Sequence, residues 1–200
     1  IPDNNIGSRG SCSAGTVALQ SPSSSNGFMI FDSNFWDDPS TTCGNIGSGP
    51  DPGPHSAWMI TNSIDLSSVS EVYITFNQQL RNYVGTMYVQ ISTNGGGTWQ
   101  EISSLTQSNG YTGPNSEWKS AYITDLAAGQ SNVQFKFLFD GFYYSWSIDD
   151  ISLYSPSANN IAISNAQFTA YDPSVNFVSN MMYDQYPLNF LPTAVPNCAI

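Results

Sequence analysis

Hydrophobic and polar residues alternate with a period of two in several stretches of the chain, as expected of strands that bury one face. In Glu71–Asn77, Val72, Ile74 and Phe76 share one parity while Tyr73 and Thr75 take the other. Thr86–Ser92 repeats the pattern with Met87, Val89 and Ile91, and Asn132–Phe139 does so with Val133, Phe135, Phe137 and Phe139. Three strands written in one code imply a shared core. Shorter candidates are Gly27–Asp32, Ala57–Thr61, Trp99–Ser103 and Trp118–Ile123, and the closing strand is Ser147–Tyr154. In that last strand Ile148 has one parity while Ile151 and Leu153 have the other, so a bulge is predicted at Asp149-Asp150.

The connections carry their own signals. Ser92-Thr93-Asn94-Gly95-Gly96-Gly97-Thr98 tolerates positive φ and reads as a hairpin. The stretch Ser33–Ser56, rich in Gly, Pro, Asp and Ser, is too long for a tight turn and must be ordered by a ligand, a disulfide or packing; function is expected there. After Tyr154 the texture changes. Ser155–Asn160 reads as a linker and Ile161–Tyr171 as one strand of something new, too short with the rest of the tail for an immunoglobulin-like sandwich. The tail either begins a second domain or packs onto the first. The expected organisation is an arm over 1–24, a sandwich over 25–155, and a linker with a partial second domain or docking tail over 156–200.

Composition narrows the class. Aliphatic and aromatic residues make up 40% of the 200 positions and aromatics 14%, enough to build a core against the entropy of ordering the chain. Fifteen Asp and Glu face only Arg9, Arg81, Lys119 and Lys136, for a formal net charge of −11. Such a surface repels nucleic acid and anionic lipid, and no apolar run is long enough for membrane insertion. Few charges with abundant Ser, Asn, Gly and Thr suit a secreted protein. The start, Ile1-Pro2-Asp3, lacks the basic and apolar regions of a signal peptide, so the chain reads as a mature or trimmed product. Cys12, Cys43 and Cys198 fit no zinc spacing; Cys12 and Cys43 are paired in the expected disulfide, with Cys198 left over.

Four motifs in order resemble the MAM-like and cleaved-adhesin jelly rolls found beside gingipain-type proteases. Phe28–Asn34 and Ala57–Ser67 resemble their opening strands, Val89–Trp99 their "V-x-V-S-T-D-G-G-x-T-W" hairpin, and Tyr143–Ile151 their closing "W-x-I-D-D-V" strand. Here Asn94 stands where the hairpin normally has Asp, and the first loop, Asp32–Asp38, holds fewer acids than is usual. The resemblance implies an all-β, antiparallel jelly-roll β-sandwich, exported to the bacterial cell surface, with a role in adhesion or in targeting an attached enzyme. The tail resembles the start of immunoglobulin-like repeats in proteins exported by the type IX route. A structural calcium ion is implied, with Asp32 and Asn34 from the first loop and Asp149 or Asp150 from the closing strand as ligands meeting across the sandwich edge.

For ligand contact the loop aromatics Trp36, Tyr143 and Tyr144 are the candidates, stacking on sugar rings, while Trp58, Trp99, Trp118 and Trp146 are assigned to the core. Tyr73 and Tyr88 share the non-core parity and form either a flat tyrosine platform or a face covered by another element. Catalysis has little support: the single histidine, His55, lies in Pro52-Gly53-Pro54-His55-Ser56 with no G-x-S-x-G motif nearby. The expected function is a non-catalytic extracellular module that binds glycan or a surface protein. The alternatives are a structural subunit or spacer that assembles with neighbours through the tail, and an accessory domain of a larger secreted protease or glycosidase.

Overall fold

A computed structural model describes residues 7–11, 18–39, 42–111 and 116–156. The chain divides into two units, Ile1–Pro156 and Ser157–Ile200, and every described residue belongs to the first. The tail strand expected at Ile161–Tyr171 therefore lies outside the described residues, as do Cys12 and Cys198.

Among the described residues, eight strands form one antiparallel sheet that curls on itself: β1 (Met29–Asp32), β2 (His55–Ile60), β3 (Tyr73–Ser92), β4 (Gln100–Glu101), β5 (Gln107–Tyr111), β6 (Glu117–Tyr122), β7 (Gln134–Phe142) and β8 (Ser145–Tyr154). Two short α-helices, α1 (Ser33–Asp37) and α2 (Thr124–Ala127), interrupt them, and a 3-10 turn over Ser24–Asn26 precedes β1. The main path runs β1-β8-β3-β7-β2, with β4, β5 and β6 also paired to β3. The architecture is thus all-β and antiparallel, a sandwich of the jelly-roll kind. No helix among the described residues is long and apolar enough to cross a membrane.

The two periodic stretches expected as separate strands, Glu71–Asn77 and Thr86–Ser92, are the halves of one bent strand. The first half of β3 pairs with β8 and β6, the second with β7 and β4. The inward parity changes at the bend: Ile74, Phe76, Gln78 and Leu80 are buried in the first half, Met87, Val89 and Ile91 in the second. A strand serving two packed layers must switch its buried face, and a shift in the β3–β5 register between Asn82 and Thr86 provides the switch. Gly85 sits there at φ +130°, and a Cβ on it would come within 2.3 Å of Gly141 Cα, so the close passage of β7 demands glycine.

Between the layers lie Phe76, Phe135, Phe137, Phe139 and Trp146, each at most 1% exposed. Burying each contributes on the order of 1.5–3 kcal/mol before entropy is charged against it. One polar side chain shares this space. Gln78 is buried, and its polar atoms are all engaged: Oε1 accepts from Trp146 Nε1 at 2.8 Å, while Nε2 donates to Gln107 at 2.9 Å and Glu117 at 2.8 Å.

Of the tryptophans assigned to the core, Trp146 fills it, whereas Trp58 is 61% and Trp118 53% exposed on outward faces. Alternation alone cannot tell which face of an isolated short strand turns inward. Trp99 lies under the ammonium of Lys136, 4.5 Å from its ring centroid. Tyr73 and Tyr88 do not share a platform: they stand on different halves of β3, and Tyr73 is sandwiched between Tyr122 and Tyr154, both ring centroids at 5.0 Å.

Candidate functional site

β1 ends at Asp32, and the chain turns at once into the five-residue α1. Asp32 caps that turn by accepting from Phe35 N at 3.1 Å, and also takes Ser8 Oγ at 2.5 Å and Arg9 N at 2.8 Å. Its carboxylate thereby fastens the arm and the helix to the strand end. Asn34 is buried in α1, and its N–H donates to the Tyr144 carbonyl at 3.0 Å, joining α1 to the β7–β8 turn.

The long segment after α1 folds back over it. Asp37, 1% exposed, accepts from Gly53 N at 2.8 Å and Gly47 N at 3.3 Å, and the buried Asp38 accepts from Asn45 N at 3.0 Å. A Cβ on Gly49 would lie 2.0 Å from Trp36 O, so the segment can press against α1 only with glycine there. Cys43 is disulfide-bonded, and Cys12, its expected partner, lies outside the described residues.

Between this segment and the β1 end lies a cleft of about 370 Å³, lined by Asp32, Ser33, Trp36, Asp51, His55 and Ser56 among others. Trp36 is 45% exposed. Asp51 N donates to Trp36 O at 3.2 Å, which sets the acid beside the tryptophan. His55 Nε2 lies 2.7 Å from the Asp51 carbonyl, which can only accept, so Nε2 carries the proton. Nδ1 is then an acceptor, and Ser33 Oγ donates to it at 2.6 Å.

A serine hydroxyl on an oriented imidazole is the start of a nucleophile–base pair. The main-chain donors that follow Ser33 are already committed, however: Asn34 N to Tyr144 O and Phe35 N to Asp32. Neither can hold an oxyanion, and the pair instead pins the proline-rich loop to α1. Neither Ser33 nor Asp51 was singled out by sequence, because their meeting with His55 depends on a loop path that local pattern does not encode.

The expected ligand aromatics divide. Tyr143 and Tyr144 form the β7–β8 turn at φ 70° and 64°, and neither lines the cleft. Tyr144 carries the Arg81 guanidinium over its ring at 4.0 Å, so that face is taken. Tyr143 packs edge-on to Phe142 at 4.1 Å; desolvation pushes its phenol above the ordinary range, and the carboxylates of Asp37 and Asp38 add to the shift.

The expected metal ligands also divide, and the set of four is not brought together. Asp32 pairs with Ser145 and Met29 with Ile148, so Asp149 lies four positions further along β8, roughly 13 Å from the Asp32 end at strand rise. Antiparallel register, invisible to motif order, separates them. At the far end Asp149 Oδ2 accepts from Ser21 Oγ in a very short contact and from Ser23 Oγ at 3.3 Å, while Asp150 Oδ1 accepts from Ser23 Oγ at 2.5 Å. The bulge is present: Thr75 pairs with Ser152 but Asn77 with Asp149, and Asp150 takes φ +51°. Asp150 Oδ2 is buried with no hydrogen-bond partner. Two carboxylates and two serine hydroxyls thus meet at the bulge, fewer groups than the roughly six to eight oxygens calcium takes. No group of three or more His, Cys, Asp or Glu side chains converges as a metal set among the described residues.

No family model and no curated protein matches the chain. Among solved structures it is similar to TmCBM61 in complex with β-1,4-galactotriose, at 16% identity and a TM-score of 0.31, over 50% of this chain and 61% of that one.

Proposed function

We propose that the chain is a non-catalytic, extracellular module of the cleaved-adhesin kind that binds glycan in the Trp36 cleft, steadied by calcium at the Asp149–Asp150 bulge. The observation that carries this reading is the half-exposed Trp36 indole on the wall of a cleft lined by both polar and apolar side chains. An indole face takes the C–H face of a pyranose, and the side chains of Asp51 and Ser56 offer hydrogen bonds to its hydroxyls. Calorimetric titration of glycans selected on an array tests it. Trp36→Ala should abolish binding without shifting the melting temperature, because an exposed ring contributes little to the core; undiminished binding by that variant sinks the proposal.

A second reading, a subunit of a surface assembly, is favoured by β2. It ends the main strand path and exposes Trp58 at 61% and Ile60 at 43%, an edge to which another extended chain could add. Sedimentation showing self-association that Trp58→Lys removes would support it.

A further inference from the structure

We infer that the Trp36 cleft takes glycans without anionic substituents, neutral hexose or N-acetylhexosamine chains, and that Asp51 is the residue that turns acidic glycans away. The inference rests on the cleft being the glycan site. Among its lining residues none is Lys or Arg, and the ionised groups are the carboxylates of Asp32 and Asp51. Asp32 faces inward onto three donors. Asp51 does not: its side chain is 73% exposed, with Oδ2 3.9 Å from His55 Nε2.

The main chain of Asp51 is fixed on both sides, its N–H on Trp36 O and its carbonyl on His55 Nε2. The Asp51 backbone is thereby held against that of Trp36, and its carboxylate shares the lining of the cleft with the indole that a sugar ring would stack upon. Arg9 lies over Phe35 at 5.8 Å, and neither it nor Arg81, Lys119 or Lys136 is part of the lining. A uronate, sialate or sulfate would bring negative charge against Asp51 with nothing in the wall to offset it. A neutral sugar brings hydroxyl donors, which a carboxylate accepts well. The net charge of −11 repels anionic glycans at longer range as well, so the local and global contributions must be separated.

The test is an array carrying neutral oligosaccharides beside their uronic, sialylated and sulfated counterparts, with titration of oligogalacturonate against its methyl ester as a matched pair. The neutral members should bind, with acidic counterparts weaker by up to about fivefold at low salt, the scale of one exposed charge pair. The gap should close as salt shortens the screening length. Asp51→Asn should weaken the methyl ester by loss of a charged acceptor yet strengthen oligogalacturonate at low salt, so that the gap narrows from the acidic side as well. Acidic glycans binding as well as neutral ones overturns this inference alone, as does a gap that Asp51→Asn leaves unchanged. No glycan bound at all overturns both it and the binding reading.

Discussion

Asp37 shows how a single buried side chain can matter more to the cleft than the residues that line it. Its two oxygens hold Gly53 and Gly47 main-chain N–H groups, and Gly53 leads directly into Pro54 and His55. Asp37→Ala would leave those donors without their acceptor, at a cost of about 1–3 kcal/mol, and would loosen the wall that carries Asp51 and His55. The expected outcome is a lower melting temperature, faster proteolysis within 42–54, and weaker glycan binding, all together. Trp36→Ala, by contrast, should lose binding alone. The sequence offered Trp36 as a contact residue and marked this loop as functional, both from composition. It could not rank Asp37 above Asp32, because which carboxylate meets which amide is set by how the loop returns over α1.

At the scale of elements, the strands were legible wherever alternation ran for six residues or more. Val133–Phe139 and the two halves of β3 bury the residues their parity assigns. What alternation could not show was that Glu71–Asn77 and Thr86–Ser92 are continuous, since the parity change between them reads locally as two separate strands. The register shift and Gly85 turn that change into a bend. Gly85→Ala tests this account. The added methyl would meet Gly141 Cα and the Asp140 carbonyl at 2.3 and 2.4 Å, with backbone on both sides unable to move cheaply. A residue forced into φ +130° alone costs on the order of 1–3 kcal/mol, and the collision adds to it. The melting temperature should fall by at least about 5 °C, and amide exchange should accelerate first along Val84–Met87 and Asp140–Phe142. A variant as stable as the native chain would mean that β3 and β7 do not pass as closely as described.

At the scale of the molecule, the arm and the closing strand meet at the two carboxylates where the proposed calcium would sit. Ser21 and Ser23 reach Asp149 and Asp150 across more than 120 positions of sequence, and Asp150 holds a left-handed conformation with one buried oxygen unpartnered. A non-glycine residue with positive φ persists where its surroundings fix it. Calcium at that oxygen would do so, and would bind the folded state alone. At a free concentration one hundred times the dissociation constant the gain is about 2.7 kcal/mol, or roughly 5–10 °C in melting temperature for a unit of this size. Asp150→Asn tolerates the same backbone conformation but removes the carboxylate charge and replaces one oxygen with an NH2 that cannot ligate a cation, so it should lose most of the calcium-dependent rise while melting near the native value in chelator. Asp32→Ala should do the reverse, lowering the melting temperature in chelator by loss of its cap and clamp while keeping the calcium increment. If Asp32→Ala abolishes the increment and Asp150→Asn spares it, the ion belongs at the first loop, and the bulge is held by its serines alone.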